Sequence, residues 1–368
     1  MPRPHYIDLL EALLQGCRPD RDKLVTLLDT DDPEELAALF DAAYKMKLRF
    51  VSNIVRLRGL IEISNICAKN CHYCGIRGSN RVLHRYTMSR EEILSAANFA
   101  LECNYGSVVL QAGERCDGAW IEWIADLIRE IKKLSAGKLG ITLSLGEQTA
   151  ATYRRWFEAG AHRYLLRIES SNPELYAKMH PADHLFARRE QCLEDLAEIG
   201  YQVGTGVMTG LPGQDAGDLA DDILFFRYHD IDMIGLGPYI PHPGTPMGRR
   251  LIARFDPAKA LRTARKMIAV TRLVLRDVNI ASTTALQALA PDGREQGLLS
   301  GANVIMPNMS PTANRPDYEL YANKPGLDEN AGETRLKLER AIASIGEKIG
   351  YGDWGDSPHA LGKKVHQP

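Results

Sequence analysis

No stretch of this sequence approaches the ~20 consecutive apolar residues that cross a bilayer, so a membrane-spanning helix is not expected. Charge of one sign is also missing: 45 Lys and Arg face 47 Asp and Glu, a formal net charge of −2. A chain so balanced, with no long basic run, does not bind nucleic acid through its phosphates. Cysteine is sparse at seven residues. Four of them, Cys17, Cys103, Cys116 and Cys192, are scattered and read as free thiols, most of them buried. That is the pattern of a reducing compartment, not of a secreted disulfide scaffold. The opening Met1-Pro-Arg-Pro-His-Tyr6 has no signal-peptide core, which makes a cytoplasmic location the expectation. Internal repeats, low-complexity tracts and Walker A, HExxH or GxSxG patterns are absent. Gly204, Gly206 and Gly210 miss the G-x-G-x-x-G dinucleotide spacing by one residue, and close backbone approach explains them better.

What is present is ordinary globular composition, 45% hydrophobic and 25% charged, over 368 residues. That length suits one large α/β barrel or two domains. Residues 7–48 have apolar positions at helical spacing, with Asp20, Asp31, Asp32 and Pro33 as start signals. Strand-like runs then fall at 60–65, 106–112, 139–145, 163–168, 201–209, 232–237, 278–283 and 302–306. Helical stretches separate most of them, at 89–103, 119–134, 148–159, 184–199, 215–229 and 256–275, with a short one at 292–300. Eight βα steps predict a complete (β/α)8 TIM-type barrel over residues 51–330, with a doubly wound sheet as the alternative. Residues 1–50 are expected to form a helical extension, and 331–368 a short helix over 333–349 followed by a coil whose Lys363 and Lys364 are solvated.

Barrel chemistry collects at the C-terminal ends of the strands. Those ends carry Gln111-Ala-Gly-Glu114, Ser144-Leu-Gly-Glu147, Arg167-Ile-Glu169, Thr283-Thr284 and Met306-Pro-Asn308. Charges embedded among apolar residues need partners, and ordinary turns do not account for so many. The first strand runs into Cys67-Ala-Lys-Asn-Cys71-His-Tyr-Cys74. A structural zinc site needs a fourth ligand, which the scattered cysteines do not supply and His72, inside the loop, is badly placed to supply. Three thiolates instead suit a [4Fe–4S] cluster with one iron open to a small molecule.

This loop resembles that of the radical S-adenosylmethionine (SAM) superfamily. The resemblance implies one [4Fe–4S] cluster on Cys67, Cys71 and Cys74, with SAM chelated on the open iron and cleaved reductively to methionine and a 5′-deoxyadenosyl radical. Tyr73 then packs near the adenine. Gln111, Gly113 and Glu114 resemble the element that holds the methionyl amine, and Glu169 is placed to accept from the ribose. Either Arg188 or Arg189 has the right chemistry for the SAM carboxylate.

The likeness extends from about residue 55 to about 325 through Arg85-Tyr86-x-Met88, Thr142 to Glu147, Arg163 to Arg167, Gly210 to Gln214, Gly237 to Pro243, Thr283-Thr284 and Gly301 to Asn308. Together these resemble the HydE family, the radical SAM maturases of [FeFe]-hydrogenase. That implies action on an organometallic iron–cysteine precursor bearing CO and cyanide, supplied by the maturase HydG, with HydF and a reducing electron donor as further partners. By family position Thr142, Ser144, Glu169 and Arg188 fall on the SAM side. Arg167, Met233, Thr283, Thr284, Met306 and Tyr321 fall on the substrate side, with Arg58 and Tyr318 as further cation and phenol donors. Ala112 stands where the family usually has serine. No cysteine follows Cys192, so a second cluster is not expected. Two alternatives stay open: a methylornithine synthase or other biotin-synthase-like mutase, and a non-catalytic iron–sulfur scaffold.

Overall fold

The computed structural model describes residues 2–365. Three helices, Pro4–Leu14, Arg21–Asp29 and Pro33–Phe50, precede the first strand. Asp20 and Asp32 cap the second and third by accepting the N–H groups of Lys23, Glu34 and Glu35, satisfying donors the helix itself leaves open. The third is pinned by a fully buried pair, Lys47 Nζ to Glu347 Oε2 at 2.6 Å. One apolar core runs without interruption from Tyr6 through the strands to Ile342.

The strands are β1 (Ile54–Ser64), β2 (Ser107–Ala112), β3 (Gly140–Ser144), β4 (Arg163–Leu165), β5 (Gln202–Thr205), β6 (Met208–Thr209), β7 (Met233–Ile234), β8 (Gly237–Pro238), β9 (Asn279–Ile280), β10 (Val304–Ile305) and β11 (Lys348–Gly350). The main sheet is a curled parallel array in the order β10-β1-β2-β3-β4-β5-β7-β9. Its two outer strands meet at one isolated parallel bridge, Ala281 to Val304. Helices alternate with the strands near the expected positions: Arg90–Glu102, Gly118–Leu134, Ala150–Glu158, Phe186–Ile199, Ala216–Tyr228 and Pro257–Val274. The squeezed step before β10 holds two short helices, Thr284–Leu289 and Gly293–Leu299.

Two expected strands are broken. Residues 201–209 divide into β5 and β6, and 232–237 into β7 and β8, with β6 and β8 forming a small ladder of their own. The cause is a close backbone approach: a Cβ on Gly206 would lie 2.0 Å from the Gly235 carbonyl oxygen. The chain tightens there and the ladder restarts beyond it.

The C-terminal segment also departs from expectation. Its helix ends at Ser344, and residues 348–350 form β11 alongside β1. The following coil closes the end of the sheet opposite the cysteine loop. Arg163 donates to Trp354 O at 2.7 Å and to Asp356 Oδ1 at 2.8 Å, while Gly355 O accepts from Arg58 and Asn279. Lys363 is not a solvated end. It pairs with Asp230 at 2.8 Å and Asp232 at 2.9 Å. The side chain of Lys364 lies outside the described residues.

Candidate active site

A cavity of about 310 Å³ opens at the C-terminal ends of the strands, within the usual small-molecule range. Cys67, Cys71 and Cys74 line one side of it, joined by Tyr73. The loop reaches this position through dense backbone bonding. Arg85 alone donates to the carbonyls of Asn65 at 2.6 Å, Ile76 at 2.8 Å, Arg77 at 2.5 Å and Asn80 at 3.1 Å. The Glu114 N–H points at Cys67 Sγ, 3.3 Å away, a contact that favours thiolate. Burial nevertheless pushes all three thiols up, Cys71 to about 12. Metal binding to a thiol displaces its proton.

His72 turns away from the cavity, with its Nδ1 3.4 Å from the Lys178 carbonyl. Among the described residues, no three His, Cys, Asp or Glu side chains are gathered tightly enough for a single metal ion. Three cavity-facing sulfurs with no fourth protein ligand fit a cluster that keeps one open iron.

Next to the cysteines sits a charged network. Glu114 Oε2 accepts from the Glu147 N–H at 2.8 Å, and Lys69 lies 3.4 Å from Glu114 and 3.0 Å from Glu147. Arg189 donates to Glu147 Oε1 at 2.6 Å and to Arg167 O at 2.6 Å. Burial raises Glu114 above the usual carboxylate range. Burial acts the same way on Glu147, but Arg189 and Lys69 outweigh it and hold that carboxyl low. Glu169 has a left-handed backbone, φ 63°, an uncommon conformation for a non-glycine residue. Its carboxylate lies 3.1 Å from Arg167 and forms an ion pair with it. Both side chains still face the cavity.

Gln111, Gly113, Ser144, Met306, Thr283, Thr284, Tyr318 and Tyr321 complete the walls. Thr283 donates to Leu236 O at 3.1 Å, and Thr284 accepts from Arg294 at 2.9 Å. Burial pushes Tyr318 and Tyr321 upward, so both remain neutral phenol donors. Behind them Lys324 bonds the buried Glu62 carboxylate, which also accepts from Asn308 at 3.0 Å.

Four expected site residues lie elsewhere. Arg58, Met233 and Thr142 surround a small chamber deeper in the sheet. There Arg58 contacts Met233 Sδ at 3.0 Å, and Thr142 accepts from Arg163 Nε at 2.9 Å, so its hydroxyl is already engaged. Arg188 is exposed and donates to Gln148 O at 2.7 Å, whereas its neighbour Arg189 is the arginine on the cavity wall. Helix geometry decides this: consecutive residues point about 100° apart, so only one of the two faces inward. Reading motifs alone gave no role to Lys69, Glu147 or Lys324. The first two stand inside quoted motifs and were legible as embedded charges; nothing in the local sequence marks Lys324.

The sequence pattern of the Radical SAM superfamily matches residues 61–226, the stretch that carries the cysteine loop and the charged network. Fold and cavity thus define a radical SAM enzyme. The chain is 43% identical over 336 residues to the [FeFe] hydrogenase maturase subunit HydE of Thermotoga maritima, covering 91% of this chain and 93% of that one. It belongs to the HydE family. It is also 28% identical to a 3-methylornithine synthase of Methanosarcina acetivorans, over 80% of this chain and 81% of that one. Among solved structures, methylornithine synthase (PylB) superposes with a TM-score of 0.80 at 26% identity, covering 94% of this chain and 98% of the other. The maturase HydG from Carboxydothermus hydrogenoformans superposes at 0.79 and 20% identity, over 94% and 79%, a likeness of fold.

Proposed function

We propose that this protein acts in [FeFe]-hydrogenase maturation, generating a 5′-deoxyadenosyl radical that attacks the cysteine-derived sulfur of an iron–carbonyl–cyanide precursor. The observation that carries the reading is one cavity whose lining brings together two chemically distinct sets of groups. The lining holds the cysteines, Tyr73, Gln111, Gly113, Glu114, Ser144 and Glu169 as one set, and Arg167, Thr283, Thr284, Met306, Tyr318 and Tyr321 as the other, with Arg167 and Glu169 meeting at 3.1 Å. When bound at Cys67, Cys71 and Cys74, the reduced [4Fe–4S] cluster supplies the one electron that breaks the sulfonium C–S bond of SAM.

The residues of the chain bind and orient. Glu114 and Glu169 offer acceptors for the methionyl ammonium and the ribose hydroxyls, and Arg189 adds a cation beside them. Thr142, with its hydroxyl engaged by Arg163, supports this set from below. Arg188 lies one helical position outside it. In the second set the Arg167 guanidinium, two threonines and two neutral phenols suit an anionic, sulfur-bearing substrate rich in acceptors. Arg58 and Met233 sit beneath as the floor. We read the curled sheet as a full barrel around this site, closed through the Ala281–Val304 bridge. Residues 51–330 form its catalytic part, flanked by the helical extension and the C-terminal plug. HydG as supplier, HydF as acceptor, a single cluster and a cytoplasmic location belong to the same reading.

The higher identity to the maturase, 43% against 28%, ranks this above a mutase. The test is anaerobic. After reconstitution and reduction, 5′-deoxyadenosine release is measured with the HydG product, with lysine, and with neither. Stimulation by the iron complex supports the maturase reading. Stimulation by lysine alone replaces it with the mutase.

A further inference from the structure

Charge is unevenly distributed in this near-neutral chain. Residues 64–90, which carry the cysteine loop, hold five Lys or Arg and not one carboxylate. Residues 233–255 hold three arginines and again no carboxylate. The fold joins the two segments. Met247 N–H donates to His72 O at 3.1 Å, and His72 N–H donates to Met179 O at 2.8 Å. Burial lowers Arg77, and the like charge of Arg249 acts in the same direction against the raising effect of Cys71.

On this face lies a groove of about 210 Å³, floored by Leu175, Met179, Leu211 and Met247, with Lys178 and Arg250 on its rim. Arg81, Lys178, Arg249, Arg250 and Arg254 are all exposed. Glu174 stands one helical turn from Lys178, but among the described residues no ion pair joins any of these five cations to a carboxylate. Asp183 lies 2.9 Å from His184, and Asp317 lies 3.0 Å from His84. The groove is also one backbone hydrogen bond away from His72, the residue between the second and third cysteines.

We infer that this basic, apolar-floored face docks a small one-electron carrier protein with an acidic surface. The inference rests on the radical SAM reading and supplies it with a partner. Two features argue for this occupant. Complementary charge speeds encounter and steers orientation without requiring tight binding, which a carrier that must leave after each electron needs. The small apolar floor matches the limited contact of transient redox complexes, and it meets the cysteine loop at its outer edge. The carrier gives up one electron, and that electron ends in the broken sulfonium C–S bond of SAM, leaving methionine and the nucleoside radical; no other reactant is needed.

The test uses full-length reconstituted enzyme and reduced flavodoxin as the probe. Two variants are compared, the double Arg249→Glu/Arg250→Glu and, on a separate helix, Lys178→Glu. Formation of 5′-deoxyadenosine is driven in parallel by flavodoxin and by titanium(III) citrate, and flavodoxin affinity is measured by calorimetry at low and high salt. The expected result is at least a tenfold rise in the flavodoxin KM and Kd for the double variant, with a smaller rise for Lys178→Glu. The titanium-driven rate stays within twofold, and the wild-type affinity falls steeply with salt. An unchanged flavodoxin Kd, or equal loss with both reductants, overturns the inference. Titanium-driven cleavage by the wild type reports on the radical chemistry alone, and calorimetry reports on docking alone, so the two failures are told apart.

Discussion

Replacing Gly113 with alanine tests how tightly the cysteine loop is held. A Cβ at that position would sit 2.4 Å from Ile66 O and 2.6 Å from Cys67 Cβ. Carbon atoms in contact prefer ~3.5 Å, so the Ile66–Cys67 peptide would have to retreat by roughly 1 Å. Neither neighbour is the flexible end of a side chain, so the strain falls on the backbone that aims the first thiolate. Overpacking of this kind costs about 1–3 kcal/mol of stability, which a chain of this size survives. The larger effect is on chemistry: displacement by ~1 Å can cost about 100-fold in rate. Moving Cys67 also breaks its 3.3 Å contact with the Glu114 N–H. The assay measures iron and sulfide per chain after reconstitution, the 5′-deoxyadenosine rate and the melting temperature. Gly118→Ala is the control, because nothing lies within 4 Å of its added carbon. Gly113→Ala with full cluster content and a rate within twofold of wild type would refute the reasoning.

Arg85→Met leaves the carbonyls around the cysteine loop without their shared donor, a loss on the order of 3 kcal/mol; the cluster should bleach faster under chelator, and Arg85→Lys should restore only part of its lifetime. Asp222 is fully buried, bonds the Ser171 N–H at 2.6 Å and is raised by burial to about 7. Because its folded pKa lies above the unfolded one, its cost to stability appears as pH rises through the acid range and is complete above about 7. Asp222→Asn keeps the acceptor, so urea unfolding should show it stabilised by up to ~4 kcal/mol at pH 8 and near neutral below pH ~4. His359 bonds Asp277 and Asp230 and is raised above its ordinary 6.5. Its hold on the helix Pro358–Val365 is complete below that value and is lost as pH climbs through the raised one. Hydrogen exchange, corrected for intrinsic rate, should therefore show the helix opening more at pH 8 than at pH 6, and His359→Gln should abolish the difference. Cys192 is buried with its thiol 3.7 Å from Gln148 O and does not line the cavity, so Cys192→Ala should leave SAM cleavage intact.

Much of the fold was legible because each βα step carries its own local signals. The helix bounds Arg90–Glu102 and Gly118–Leu134 follow from Ser89 and Asp117, whose side chains cap them. What the sequence hides is set by contacts between distant residues. The break between β5 and β6 depends on Gly235 crowding Gly206, 29 positions away. β11 reads as the end of a helix until β1 presents an edge for it to pair with. The same division holds at the site. The three cysteines, Glu114 and Arg167 could be placed from motif and strand end. Lys324 could not, since it reaches the cavity from an irregular segment to meet Glu62. The choice between Arg188 and Arg189 turns on helix rotation, which a motif does not record.

The central claim is that Cys67, Cys71 and Cys74 hold one [4Fe–4S] cluster that drives SAM cleavage. The most direct measurement is paired: Mössbauer quantification of cluster iron and the reductive yield of 5′-deoxyadenosine, on wild type and on each Cys→Ala variant. The account predicts about four irons per wild-type chain, together with nucleoside formation. It predicts that both are lost in each of the three variants while the circular dichroism of the fold is kept. Undiminished SAM cleavage in any one of them would contradict it.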